Sequence, residues 1–144
     1  MMWFQKDRED VVYMDLYPRE KGCIEQQKNF SCDPDVLADF RDMPFGDEEF
    51  QMVVFDPPHI TDVSLFSVMG KKYGTISSET YETDLSKGFD ECWRVLKRGG
   101  TLVFKWNEAR VKVSDVLKCF RHQPLFGHTT GKAGSTKWMC FLKT

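Results

Sequence analysis

The sequence has no long hydrophobic run, and this absence excludes a protein that crosses a bilayer as an apolar helix. No apolar stretch approaches the roughly 20 residues that such a helix needs. The first residues are mixed in polarity and charged, unlike the basic start and apolar core of a secretory signal. Repeats and low-complexity tracts are missing too. The sequence therefore predicts a globular chain with no membrane partner.

Paired cysteines are also missing. The five cysteines are scattered, and no two of them form a CxxC pair. An odd number of thiols without a secretory signal is typical of the reducing cytoplasm, where cysteines serve as small apolar residues. His122 and His128 have no metal-ligand spacing to each other or to the cysteines. We therefore expect a cytoplasmic protein with free thiols and no metal site.

A large excess of charge of one sign is lacking as well. The chain carries 20 Lys and Arg against 22 Asp and Glu, a net charge of −2. This balance supplies no basic footprint for a nucleic acid, although it leaves room for a local basic patch. With 144 residues and 41% hydrophobic content, the chain is long enough to bury one core. We expect a single domain over residues 1–144.

The apolar residues that are present fall into short runs with the composition of strands and amphipathic helices. Strands are expected over Val11–Met14, Asp35–Phe40, Phe50–Phe55, Thr101–Trp106 and Lys137–Leu142, with Leu125-Phe126 as a possible partner of the last. Helices are expected from about Thr83 to Lys97, ended by Gly99-Gly100, and around Val113–Phe120. Residues 18–33 and 60–80 are predicted to be loops. This alternation predicts an α/β fold with a mostly parallel sheet and a C-terminal antiparallel strand.

Acidic side chains follow three of the expected strands. Asp15, Asp39 and Asp56 each lie at or just past a strand end. Ligands of parallel sheets bind at the carboxyl ends of the strands. Three acids in such places predict one convergent site, and a helix cap or a solvated loop acid is the alternative for Asp15.

The segment after Phe50–Phe55 carries the clearest motif. Asp56-Pro57-Pro58-His59 resembles the DPPY-type motif of amino-methyltransferases, in which an acidic or amide residue, two prolines and an aromatic residue follow a strand. The Asp56 carboxylate and a backbone carbonyl held by the prolines would accept hydrogen bonds from a poorly nucleophilic amine. The planar fourth residue would stack on a flipped base. His59 departs from the family's aromatic residue, and an imidazole can both stack and accept a proton.

Two further segments resemble class I S-adenosylmethionine-dependent methyltransferases. Residues 89–106 (FDECWRVLKRGGTLVFKW) are similar to the helix, glycine turn and fifth strand of that family, and residues 38–45 (ADFRDMPF) are similar to its third motif. The resemblance implies a Rossmann-like sheet and S-adenosyl-L-methionine as cofactor. It implies cofactor contacts from Asp15, which matches the ribose-binding acid, and from Asp39, Phe40 and Asp56.

The function implied by the resemblance is methyl transfer to an amine, foremost the exocyclic amino group of a base in DNA or RNA. Asp56, Pro57, Pro58 and His59 would be the catalytic residues. Tyr73 in the 60–80 loop is a candidate stacking residue, and Lys105 and Asn107 would border the substrate cleft, with a core strand and polar exit as the alternative. Methylation of a small molecule or a protein is a second possibility. A non-catalytic cofactor-binding or interaction module is a third.

One family feature is missing from the sequence. Class I methyltransferases begin with a central strand that leads into a glycine-rich turn, and no glycine precedes Asp15 here. We expect the first strand and the main cofactor loop to be absent. A fragment or mis-started product of a longer gene is the favoured explanation, ahead of a strand borrowed from a partner subunit or a degenerate relative. Two unpaired strand edges would favour association, so a homo-oligomer is a possible state.

Overall fold

A computed structural model describes residues 3–128 and 134–144. The chain divides into two compact units, Met1–Asp39 and Phe40–Thr144, called here the N-terminal unit and the C-terminal unit. The predicted loop between Leu125-Phe126 and the last strand lies partly outside the described residues. The expectation of a single domain stays a prediction.

The N-terminal unit contains a short parallel ladder. Strand β1 (Met14–Asp15) pairs with β2 (Val36–Leu37). The predicted strand Asp35–Phe40 contains β2 but is too long, and the predicted strand Val11–Met14 shares only Met14 with β1. The backbone N–H of Tyr13 donates to the Asp35 carboxylate at 2.8 Å, whereas its carbonyl accepts from the Val36 N–H at 3.1 Å at the start of the ladder. Between the strands lie a 3-10 turn at Glu25–Gln27 and an antiparallel bridge from Arg19 to Cys32.

The C-terminal unit is built on a four-stranded sheet in the order β3-β4-β6-β5. The strands are β3 (Phe50–Phe55), β4 (Leu96–Asn107), β5 (Phe126–Gly127) and β6 (Thr136–Leu142). Strand β3 runs parallel to β4, whereas β6 is antiparallel to both of its neighbours. An α/β fold is thus confirmed, but this larger sheet is mixed rather than mostly parallel. The bounds predicted for β3 are confirmed, and β5 and β6 differ from prediction by one residue.

Helix α2 (Tyr81–Val95) covers this sheet. Its buried residues recur at the spacing of one helical face and are Leu85, Gly88, Phe89, Cys92 and Val95. They meet alternate residues of the strands, because side chains two apart in a strand share a face. Phe89 stacks on Phe120 with ring centroids 4.2 Å apart, and meets Phe141 edge-on at 5.1 Å. Phe120 lies two residues after the end of α3 (Val113–Lys118).

The junction between α2 and β4 differs from the expected helix, glycine turn and strand. The helix ends at Val95, and β4 begins at Leu96 rather than at Thr101. Residues 97–100 form an irregular bulge, since Phe50 pairs with Leu96 while Met52 already pairs with Thr101. Gly99 adopts φ +75° there, a conformation that favours glycine. The carbonyls of Trp93 in α2 and of Leu96, the first residue of β4, accept hydrogen bonds from Lys143 Nζ at 2.7 and 2.6 Å.

The segment 60–80 is only partly a loop, which corrects the prediction. It contains helix α1 (Val68–Tyr73) and a parallel bridge between Thr61 and Ile76. Ser67 caps α1 by accepting a hydrogen bond from the Gly70 N–H at 3.0 Å. Six residues are too few for apolar periodicity by itself to indicate a helix.

Gly88 is the point where α2 approaches Phe40 and Phe55 most closely. A Cβ atom at this position would lie 2.4 Å from Cδ2 of Phe40 and 2.8 Å from Cζ of Phe55. Alanine is about 1 kcal/mol better than glycine in a helix interior, but overpacking a core costs about 1–3 kcal/mol. We therefore expect Gly88→Ala to lower the free energy of unfolding, measured by urea denaturation.

Lys87→Ala, at the exposed neighbouring position of α2, is the control and should change stability by less than about 0.5 kcal/mol. A Gly88→Ala variant more stable than the wild type would contradict the close approach.

Within residues 3–128 and 134–144, no helix combines the length and the apolar character that a membrane span requires.

Candidate functional site

The end of β3 brings Asp56 beside Lys105 of β4. The two parallel strands pair Phe55 with Phe104, so the next residue of each strand lies at the same sheet edge. Lys105 Nζ lies 2.7 Å from Asp56 Oδ2. The Lys105 ammonium is also 5.9 Å from the ring centroid of Trp138, its ladder partner on β6. Lys105 is therefore held between a carboxylate and an aromatic ring.

The Asp56 carboxylate has one oxygen occupied and one available. Its side chain is 32% exposed and that of Lys105 is 24% exposed. Oδ2 accepts the hydrogen bond from Lys105, and within the described parts of the chain no donor reaches Oδ1. A carboxylate accepts several hydrogen bonds, so Oδ1 is open to an N–H group of a ligand.

The residues after Asp56 form a rigid turn. Pro57 and Ile60 are buried, and the fixed φ of the two prolines removes freedom from the backbone. Gly74 packs on this turn: a Cβ on Gly74, whose φ is +70°, would lie 3.1 Å from Cγ of Pro58. The predicted end of the strand at Asp56 is confirmed, because prolines cannot donate to a ladder.

His59 lies in an aromatic cluster with Tyr73. Their ring centroids are 5.4 Å apart, and the ring of the buried Trp106 is 6.3 Å from His59 in an edge-on arrangement. Trp106 is oriented by its Nε1–H, which donates to the Val111 carbonyl at 2.8 Å. The structure thus brings together Tyr73 and His59, which the sequence singled out separately, and adds Trp106, which sequence reasoning treated as a core residue.

Burial lowers the pKa of His59 below its ordinary value of 6.5, and the positive charge of Lys105 acts in the same direction while Asp56 partly opposes both. The half-buried imidazole is therefore neutral at pH 7. A neutral imidazole can stack on a flat ligand and has a nitrogen that accepts a proton.

This lowered pKa predicts an acid-sensitive stability. Below pH 6.5 the unfolded chain binds the proton more readily than the folded chain, so stability should fall as the pH drops from neutral to about 5. His59→Phe keeps a planar ring without titration and should reduce this loss. Urea denaturation at both pH values measures the effect.

Phe66→Ala, which removes an exposed ring that carries no titratable group, is the control and should leave the pH dependence unchanged. Equal pH dependence in His59→Phe and the wild type would contradict the assignment.

Tyr73 lies in a segment whose two ends are joined by hydrogen bonds. The Thr61–Ile76 bridge closes its base, and the Val63 N–H donates to Thr75 Oγ1 at 3.2 Å. The ammonium of Lys72 lies 5.2 Å from the Tyr73 ring centroid. Ser67 before α1 and the Lys71-Lys72 pair at its end are the sequence signals from which this helix could have been found.

The side chain of Asn107, at the end of β4, is hydrogen-bonded within the protein. Its Nδ2 donates to Thr136 Oγ1 at 3.1 Å, and its Oδ1 accepts from the Ala109 N–H at 2.9 Å. Both ends of the amide are thus bonded to the protein. A substrate contact from Asn107 stays a prediction.

Asp15 and Asp39 lie in the N-terminal unit at the ends of paired parallel strands. Asp15 ends β1, and its backbone carbonyl accepts from the Ala38 N–H at 3.1 Å, next to Asp39. The Asp15 carboxylate accepts from the Tyr17 N–H at 3.1 Å and from Cys32 Sγ at 3.7 Å. Burial, with Asp15 adding to it, raises the pKa of Cys32 to about 11. Asp56 belongs to the other unit, so convergence of the three acids stays a prediction.

Phe40 begins the C-terminal unit and packs on the end of β3. Its ring centroid lies 5.5 Å from that of Phe55, and the Arg41 guanidinium lies 5.9 Å from the Phe40 ring. These contacts give the Phe40 ring a packing role that requires no ligand. The proposed cofactor contact of Phe40 remains a prediction.

A surface depression lies away from these residues. It is a groove of about 600 Å³ between α2 and α3, and its lining includes Tyr81, Ser86, Asp90, Asp115 and Arg121. It is shallow, and opposite charges line it together, so it has no preference for one kind of ligand. In the described residues no group of three His, Cys, Asp or Glu side chains is placed to hold a metal ion.

Comparisons with known proteins add little to this geometry. No protein-family model matches the sequence, and no curated protein matches it. One solved structure with a similar course of the chain is that of the PH0226 protein from Pyrococcus horikoshii OT3, at 12% identity and a TM-score of 0.42. The match covers 76% of this chain and 61% of that one. The chain thus spans about 61% of that protein's length, and a likeness this distant carries no functional argument.

Proposed function

We propose that this chain carries the substrate-amine site of an S-adenosylmethionine-dependent methyltransferase, and that the amine is the exocyclic amino group of a base in DNA or RNA. The observation that carries the proposal is the Asp56 carboxylate at the end of β3. It has one oxygen held by Lys105 at 2.7 Å and the other open to a ligand. The open oxygen offers the acceptor for the amine N–H that the resemblance to DPPY-type enzymes implies for Asp56.

Asp56 acts on the amine by accepting a hydrogen bond. The lone pair of an exocyclic amine is delocalised into the ring, which makes the nitrogen a poor nucleophile. A hydrogen bond from N–H to Oδ1 favours the tetrahedral geometry and the positive charge that develop as the nitrogen attacks a methyl group. Since Asp56 follows a paired strand and precedes a rigid turn, the carboxylate is positioned before the substrate arrives.

His59 and Tyr73 provide the flat surfaces that a base needs. A base drawn out of its stack is bound by stacking on planar side chains. The neutral imidazole of His59, next to the half-exposed ring of Tyr73 at 5.4 Å, offers such a surface beside Asp56. His59 can also take up the proton that the methylated amine releases.

A Rossmann-like methyltransferase sheet is part of the proposal. In its favour, β1 pairs in parallel with β2 and β3 with β4, and the last strand, β6, is antiparallel. The other edge of β3 has no partner strand among the described residues. That edge is open to pairing with a further strand. Association through this edge is the reason to keep a homo-oligomer among the predictions.

The cofactor would supply an electrophilic methyl group. Asp15 and Asp39 offer carboxylates suited to its hydroxyl and amino groups, although both oxygens of Asp15 already accept hydrogen bonds. Gly22, the only glycine of residues 3–39, has open space around its Cβ position, so it marks no close approach of backbone to a ligand. The described residues do not fit a complete cofactor cradle. Cofactor binding therefore rests on the resemblance alone.

Transfer of a labelled methyl group from S-adenosylmethionine tests the proposal. The acceptors are single-stranded DNA, single-stranded RNA, a protein mixture and free nucleosides. We expect label in nucleic acid that contains adenine or cytosine. Label only in protein or small molecules would replace the proposed substrate class. No transfer, together with no calorimetric binding at millimolar cofactor, would favour a non-catalytic module.

A further inference from the structure

The proposed amine site contains a hydrogen-bond donor next to the acceptor. Lys105 Nζ uses one of its three N–H groups on Asp56 Oδ2 at 2.7 Å. No other acceptor within the described residues bonds to this ammonium, whose side chain is 24% exposed. A ligand that reaches Asp56 therefore meets a charged donor immediately beside the carboxylate.

The position of Lys105 is fixed well enough for its ammonium to discriminate between ligands. It lies in β4, which is paired with β3 on one side and β6 on the other. Its chain neighbours Phe104 and Trp106 are fully buried, so the backbone has little freedom to shift. The Trp138 ring, 5.9 Å from Nζ, adds a cation–π contact on this side chain.

The Asp56 carboxylate accepts hydrogen bonds and the adjacent Lys105 ammonium donates them. The pair is therefore complementary to a ligand edge that carries a donor next to an acceptor. On the Watson–Crick edges of adenine and cytosine, the amino group is a donor and the adjacent ring nitrogen is an acceptor. On the same edge of guanine, the neighbour of the amino group is N1–H, a second donor that would face the Lys105 ammonium. Thymine and uracil present no amino group there. Enzymes that flip bases read this edge through hydrogen bonds.

We propose that Lys105 is a specificity-determining residue that donates a hydrogen bond to the ring nitrogen next to the amine held by Asp56. This inference rests on the proposed function and deepens it. The substrate class becomes a base whose Watson–Crick edge places an unprotonated ring nitrogen next to the amino group, namely adenine or cytosine rather than guanine. Asp56 and Lys105 then recognise one base edge through two adjacent hydrogen bonds.

A single-atom change in the substrate tests this inference. The probes are short oligothymidylates with one central adenine or one 1-deazaadenine, in which C–H replaces the ring nitrogen. Dissociation constants are measured without any methyl donor, and kcat/KM with S-adenosylmethionine. A hydrogen bond to a charged donor predicts that the wild type favours adenine by about tenfold to a hundredfold in kcat/KM, with a preference of the same sign in binding.

Lys105→Met should lose most of this preference, because it keeps the length of the side chain without its donors. Lys118→Met is the matched control: Lys118 also lies 2.7 Å from an aspartate, Asp115, but on α3. It should keep the wild-type preference. Lys105→Arg retains charge and donors and should keep part of it, which separates recognition from a folding defect when thermal midpoints are compared.

The outcomes distinguish this inference from the proposed function. If Lys105→Met prefers adenine as strongly as the wild type does, or if the wild type shows no preference, Lys105 does not read the ring nitrogen, while methyl transfer stands. If the wild type methylates no DNA or RNA that contains adenine or cytosine, the proposed function fails and this inference fails with it.

Discussion

Asp56→Ala is expected to lower kcat/KM for methyl transfer by at least about a hundredfold, because it removes the group that stabilises charge on the attacking nitrogen. Stability should change little, since an ion pair with both side chains partly exposed contributes only about 0–1 kcal/mol. Asp56→Asn keeps an oxygen acceptor but loses the charge, so an intermediate loss is expected. Steady-state kinetics and thermal midpoints together measure both effects.

Asp115→Ala provides the matched control for this variant. Asp115 forms an ion pair with Lys118 at the same 2.7 Å separation that joins Asp56 to Lys105, but it lies on α3 and is not part of the turn after β3. It should retain activity within about twofold, as expected of an exposed substitution away from the site. If Asp56→Ala retained activity to the same degree, Asp56 would not be the amine acceptor.

Phe89→Ala is expected to lower the free energy of unfolding by about 3–5 kcal/mol, the usual cost of removing a buried aromatic side chain. Phe89 is fully buried and contacts rings on three sides: Trp93 on its own helix at 5.7 Å, Phe120 at 4.2 Å and Phe141 of β6 at 5.1 Å. The position of Phe141 is fixed by its strand, so the space left behind cannot close completely. Urea denaturation followed by circular dichroism measures the loss.

Phe66→Ala is the control for the core variant. The substitution is chemically identical, but Phe66 is 88% exposed, so the free energy of unfolding should stay within about 0.5 kcal/mol of the wild type. A loss below about 1 kcal/mol in Phe89→Ala would mean that α2 does not pack on the sheet as described.

Several features follow from local patterns and were predictable from the sequence. Strand β3 has the predicted bounds because its apolar residues are stopped by two prolines, and proline acts on the backbone regardless of context. Helix α2 was predictable because a repeat of apolar residues every three or four positions indicates one buried face. The motif Asp56-Pro57-Pro58-His59 is contiguous, so its place after a strand could be inferred without knowing any partner.

Other features depend on which strands become neighbours, and only the tertiary structure decided them. The ion pair between Asp56 and Lys105 joins residues from two strands, and it exists because β3 and β4 pair in parallel with Phe55 opposite Phe104. The bulge at residues 97–100 likewise reflects the need to bring Thr101 into register with Met52. Tyr73 reaches His59 because the Thr61–Ile76 bridge closes the segment between them.

The sequence by itself thus determined where the strand before Asp56 ends and which side chains have chemistry to offer. Tertiary structure decided the surroundings of these side chains. It places Lys105 on one oxygen of Asp56 and gives His59 a partly buried environment that favours its neutral form. The physical reason is that propensity and periodicity act over a few neighbouring residues. Hydrogen-bond partners and local dielectric depend on residues about fifty positions away in the chain, which sheet pairing brings into contact.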